Sequence, residues 1–194
     1  MSQKIARDVS NVLNPFLVCF LTVILMVART SDSVLGAAKW SAIALVFSVV
    51  PVFVFILVQV QRKKMESIFP EGQNQRRTIY ALASVFSAVG YVMMLRFDAP
   101  KLLAVSFLAG LLTVIVFMLI NLYWKISLHT AFISAGVVVL TVVYGANAAW
   151  LFVLLPLIGW SRLALKMHTP WQVIAGAVLA AGIVSGIYWG FGII

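Results

Sequence analysis

Polar residues divide this chain into seven mainly apolar runs, at approximately 12–28, 40–60, 79–95, 102–122, 129–145, 148–163 and 172–192. A helix needs about 20 such residues to cross a bilayer, within a range near 17–25. The runs therefore predict membrane-spanning helices, six or seven in number because several are short. The fifth and sixth are separated only by Gly145–Ala146–Asn147, which predicts a tight helical hairpin. One long polar loop, QRKKMESIFPEGQNQRR, extends from Gln61 to Arg77, and neither an internal repeat nor a low-complexity segment interrupts the pattern. The expected fold is an all-α polytopic transmembrane bundle forming a single domain over 1–194.

Composition strengthens this picture. Of the 194 residues, 63% are hydrophobic and 10% charged, whereas a soluble domain carries roughly 25% charged residues. Too few charges are present to cover a globular surface, so the chain reads as an integral membrane protein without a separate soluble domain. Lys4 and Arg7 precede the run FLVCFLTVILMVA as in a signal peptide, but Arg29 and Asp32 follow where a small-x-small cleavage site belongs. The run is expected to be a retained first transmembrane helix. Cys19 is the only cysteine; it suits packing or lipid contact and excludes a disulfide framework or a thiol metal cluster.

Charge adds a direction. Fourteen Lys and Arg against five Asp and Glu give a net charge of +9. In a membrane protein such an excess points to loop topology, anionic headgroups or an anionic substrate rather than to nucleic acid. Alternating the crossings places Lys4, Arg7, Arg62, Lys63, Lys64, Arg76, Arg77, Lys125, Arg162 and Lys166 on the face of the N-terminus. Arg29, Lys39, Arg96 and Lys101 fall on the other face. Ten cations against four predict that the first face is cytoplasmic. The bias shrinks to five against four when Arg76, Arg77, Lys125, Arg162 and Lys166 are set aside as substrate ligands. Trp124, Trp160 and Trp171 mark one membrane interface and Trp40, Trp150 and Trp189 the other.

The candidate chemistry lies on the basic face. Both histidines, His129 and His168, belong to it, within WKISLHT and SRLALKMHTPWQ. The acidic residues of that face are Asp8, Glu66 and Glu71. Arg162, three residues beyond Gly159 and followed by LAL, is set deep in apolar sequence, where an arginine requires an anionic partner. Phosphate suits Arg162 and the Arg76–Arg77 pair, because guanidinium forks match its oxygens in bidentate fashion. Thr169 and Pro170 form the N-cap and first position of one helix, and Ser127 precedes another, so two helix N-termini point N–H groups toward one region. Two histidines supply what phosphoryl transfer then requires, a nucleophile and a proton donor near neutral pH. No cluster of Asp, Glu or His suggests Mg²⁺ or Zn²⁺, and no cofactor is implied.

These residues resemble the phosphatidic acid phosphatase type 2 superfamily. SRLALKMHTPWQ is similar to its signature SRxxxxxHxxxD, with Ser161, Arg162 and His168 in register and Gln172 at the aspartate position. ISLH at 126–129 is similar to PSGH, keeping Ser127 and His129 but with Ile126 for proline and Leu128 for glycine. Of the signature KxxxxxxRP only the arginine has counterparts, Arg76 or Arg77; no lysine lies seven residues before either, and Lys63 or Lys64 serves only if the loop folds back. The likeness covers 120–180, and earlier residues only by order and topology.

The resemblance implies a metal-independent hydrolase of lipid phosphates. His168 would be the phosphohistidine nucleophile and His129 the general acid. Arg162, with Arg76 or Arg77, would clamp the phosphate, supported by Ser127, Ser161, Lys64 and Lys125. Substrates of this class include phosphatidate, phosphatidylglycerol phosphate and polyprenyl diphosphates, so the partners expected are a phosphorylated phospholipid or isoprenoid and the bilayer itself. Gln172 has two readings, an uncharged support for His168 or the N3 member of a capping box with Thr169. Lys64 and Lys125 have two as well, phosphate ligands or headgroup anchors. A non-catalytic relative that binds anionic lipid is the alternative for the whole chain. A secondary transporter fits less well, since the runs carry only mild polar groups such as Thr113 and Asn121 and no inverted repeat.

Overall fold

The computed structural model describes residues 2–70 and 72–194, and every regular element among them is helical. The α-helices are α1 (Ser2–Val12), α2 (Pro15–Thr30), α3 (Val34–Val46), α4 (Val49–Gln61), α5 (Gln73–Arg96), α6 (Lys101–Asn121), α7 (Leu128–Tyr144), α8 (Leu154–Ala164) and α9 (Pro170–Gly190). A 3₁₀ segment, Gly145–Val153, joins α7 to α8. Gln73–Arg96, Lys101–Asn121, Leu128–Ala164 and Pro170–Gly190 are each long and apolar enough to cross a membrane. Counting each bent pair, α1–α2 and α3–α4, as one stretch gives six candidates by length and composition, with α7 and α8 together making up the Leu128–Ala164 stretch. The surface is that of a multi-pass membrane protein. Val85, Val89 and Val92 on α5 and Ile174 and Val178 on α9 are exposed, while Arg76 and Arg162 are buried. Water disfavours that arrangement and hydrocarbon favours it.

Departures from the predicted runs have local causes. The run at 40–60 is broken into α3 and α4, bent by 42°. Pro51 has no N–H for the Phe47 carbonyl and its ring crowds it, so the helix restarts after Ser48. The first run begins at Pro15, with Asn14 as a side-chain cap, and an additional polar helix, α1, precedes it. The third run begins at Gln73 rather than 79, which shortens the polar loop and places Arg76 and Arg77 on α5. The predicted hairpin is present. Gly145 adopts φ 63°, in the region that glycine enters without a Cβ clash. Ile158 of α8 then packs on Ile133 and Val137 of α7, folding the 128–164 run back on itself.

The contact of α7 with α9 fixes the site. Thr130 Oγ1 donates to the Val173 carbonyl at 3.0 Å, Ser134 Oγ to the Ala177 carbonyl at 2.7 Å, and the Ser127 N–H to the Gln172 carbonyl at 3.3 Å. Small and hydroxylated residues let membrane helices approach in this way. Gly176 is at the closest point, where a Cβ would stand 2.5 Å from the Ser127 carbonyl oxygen and 2.7 Å from Thr130 Oγ1. Gly176→Val is therefore expected to force the two helix ends apart at a cost of about 1–3 kcal/mol. A lowered melting temperature in detergent checks this, and an unchanged one refutes the close-packing account.

Candidate active site

Three links between helices, together with α1, gather at one end of the bundle. Gln73 Nε2 donates to the carbonyls of Asn121 and Leu122, and Arg76 donates from Nη2 to the Ile126 carbonyl at 3.0 Å and to Tyr80 Oη at 3.4 Å. The first turn of α5 thus holds the 122–127 link. On the other side, Ser161 Oγ donates to the Ala6 carbonyl at 2.6 Å and Arg162 Nη1 to Ser10 Oγ at 2.7 Å, fastening α1 across the end of α8. Ala6 and Ser10 are buried while Lys4, Arg7 and Asp8 of the same helix are exposed. A cavity of about 650 Å³ opens at this end, where Arg76, Lys125, His129, Arg162, Lys166 and His168 line it.

Both helix N-termini are capped as their sequences require. Thr169 Oγ1 accepts from the Gln172 N–H, and Gln172 Oε1 accepts from the Thr169 N–H at 3.0 Å, with Pro170 at the first helical position. Ser127 Oγ caps α7 through the Thr130 N–H. Neither helix has an acidic residue in its first turn, so nothing there offsets the positive dipole ends.

Gln172 fills both roles left open by the sequence. The atom receiving the Thr169 N–H must be the amide oxygen, and the same Oε1 lies 3.2 Å from His168 Nδ1. An amide oxygen can only accept, so Nδ1 carries the hydrogen and Nε2 of a neutral His168 keeps its lone pair. Burial lowers the His168 imidazole from 6.5 to about 4, helped by the charges of Arg162, Lys125 and Arg76 and opposed by the Gln172 hydrogen bond. His168 is therefore neutral throughout the physiological range.

His129 is 3% exposed, in the first turn of α7. One edge of its ring faces the Ser10 backbone, and Arg162 and His168 are within electrostatic range. Its Nε2 is buried and has no hydrogen-bond partner among the described residues. Phe69, from the loop after α4, covers the ring at a centroid distance of 5.0 Å and is itself stacked on Phe16 at 6.1 Å.

The remaining sequence candidates have other positions. Arg77 follows Arg76 on a helix that turns about 100° per residue, and it is exposed, away from the cavity. Lys64 is also exposed. The hydroxyls of Ser127 and Ser161 are fully buried behind the helix ends, bonded to the Thr130 N–H and the Ala6 carbonyl. Lys125 is half-buried and lines the cavity. Asp8 and Glu66 are exposed, and Glu71 lies outside the described residues. Sequence reasoning missed Ser10, Tyr80 and Phe69. The available signals were the spacing of Ala6 and Ser10 on one helical face and the lone aromatic in a polar loop. Among the described residues no three His, Cys, Asp or Glu side chains are placed to hold a metal ion. No protein-family model, curated protein or solved structure matches this chain.

Proposed function

We propose that the chain is a membrane-embedded phosphatase acting on a phosphate monoester or diphosphate of a lipid, through a phosphohistidine on His168. What carries the reading is the meeting of two imidazoles and two guanidinium groups, from three distant parts of the sequence, at one end of one cavity. The resemblance to the phosphatidic acid phosphatase type 2 superfamily, through SRLALKMH and SLH, adds to it.

In this proposal Arg162, Arg76 and Lys125 hold the phosphoryl oxygens together with the N–H groups at the starts of α7 and α9. Nε2 of His168 attacks phosphorus as the bond to the leaving oxygen breaks. His129 carries the proton for that oxygen. Water then cleaves the P–N bond and gives a proton to His129, so inorganic phosphate leaves and both rings return to their starting states. Gln172 positions His168 without touching substrate.

Phosphate release by the purified protein across phosphatidate, phosphatidylglycerol phosphate and polyprenyl diphosphates tests the reading. Release supports it. Tight lipid binding with no release from any of them supports the non-catalytic relative instead.

Gln172→Glu gives a second check. It keeps the length needed for both hydrogen bonds and adds a negative charge, which stabilises imidazolium and raises His168 above about 4. The acid limb of kcat/KM, which reports the free enzyme, is expected to move to higher pH. An unmoved limb contradicts the assignment of that limb to His168. The depressed value also affects stability. Between 6.5 and about 4 the unfolded chain binds the proton that folded His168 refuses, so the fold weakens as pH falls through that window.

A further inference from the structure

The cavity extends far beyond the phosphate end. On α7 its lining runs from His129 through Phe132 and Gly136 to Val139, and on α6 from Phe117 through Gly110 to Leu103. At 1.5 Å per residue these stretches measure roughly 15 Å and 21 Å, more than a phosphate occupies. At the far end the lining belongs to the buried cluster containing Met26, Leu103, Phe107 and Tyr188. There Ser106 Oγ and Tyr188 Oη share a hydrogen bond of 2.5 Å, and Ser106 also contacts Met26 Sδ at 3.3 Å. Cations at one end, apolar walls and a hydrogen-bonded floor match a ligand with an anionic head and one hydrocarbon tail.

We infer that this cavity holds a single tail of the phosphorylated lipid, and that the floor at Ser106 and Tyr188 sets the longest tail it accepts. The inference rests on the phosphate reading for the head and goes beyond it for the tail. Gly110 is the position that exposes the idea to test. It lies mid-cavity on α6, between the lining residues Phe107 and Thr113, and a Cβ there meets nothing within 4 Å. A phenylalanine at 110 would occupy the tail's path without displacing a neighbour at its Cβ.

The experiment uses the full chain in nanodiscs of zwitterionic lipid. Dissociation constants and phosphate release are measured together for geranyl, farnesyl and geranylgeranyl diphosphates, with phosphatidate and its single-tailed lyso form alongside. Wild type is expected to bind more tightly as the tail lengthens until the floor is reached. Gly110→Phe is expected to lower the long-to-short affinity ratio by about tenfold, the equivalent of roughly two buried methylenes. Val178→Phe, on the exposed side of α9, is expected to leave the ratio unchanged, and the lyso lipid to bind within about twofold of phosphatidate.

A ratio that Gly110→Phe does not alter, in a variant that elutes and melts as a folded protein, overturns the inference. So does wild-type binding that ignores tail length, or no binding at all. Release without length dependence removes the tail cavity alone. A length profile without release from any substrate leaves the cavity standing and removes the phosphatase.

Discussion

His168→Ala is expected to reduce phosphate release by at least about a thousandfold while leaving lipid affinity within a few-fold of wild type. The size of the effect follows from the role, since a nucleophile that forms the covalent intermediate has no substitute in the site. Affinity is expected to persist because the proposed phosphate ligands are elsewhere, on α5, α8 and the 122–127 link, where Arg76 is held by Ile126 and Tyr80 and Arg162 by Ser10. The fold has little reason to fail. His168 is half-buried, and without it Gln172 Oε1 still receives the Thr169 N–H. Base quench of wild type during turnover is expected to trap a phosphoramidate that the variant lacks. If the variant releases phosphate at the wild-type rate, the histidine mechanism is wrong. If it loses both release and lipid binding while remaining folded, His168 is a binding residue instead.

The positions that were legible in the sequence are those decided by near neighbours along the chain. Thr169–Pro170–Gln172 is a capping box because the partners are three residues apart. Gly145 marks a reversal because its φ of 63° is one that residues with a Cβ resist. The apolar runs marked helices because hydrocarbon demands that every backbone N–H and C=O be paired within its own segment. The run at 40–60 was read as unbroken, although Pro51 parts α3 from α4 by an equally local rule.

What was not legible depends on tertiary placement. Arg76 and Arg77 are equivalent in composition, and only the start of α5 at Gln73 decides that the first turns inward and the second outward. Ser10 meets Arg162 across 152 positions of the chain, through a polar helix that hydropathy alone passes over. Ser127 and Ser161 match a signature that implies contact with phosphate, yet packing turns both hydroxyls toward the backbone. The cavity itself has no sequence signal, because the residues along its walls are the same apolar types that face lipid.

Arg162 separates clamp from charge. Two substitutions at this buried position are expected to fail in different ways. Arg162→Lys keeps a cation near His168 but loses the planar fork that grips two oxygens. It is expected to lower kcat/KM by about a hundredfold, the scale of losing one preorganised donor to a phosphoryl or oxyanion group. Its acid limb should stay near that of wild type. Arg162→Met has similar length and no charge, so packing against α1 survives although Ser10 Oγ loses its donor. Here kcat/KM is expected to fall at least as far. In addition, His168 is released from the second-largest influence holding it down, so its acid limb should rise from about 4 toward 6.5. Should both variants bind and turn over lipid phosphate as wild type does, Arg162 is only the fastening of α8 to α1. Should the limb move equally in both, the field at His168 depends on how the arginine seats α1 rather than on its charge.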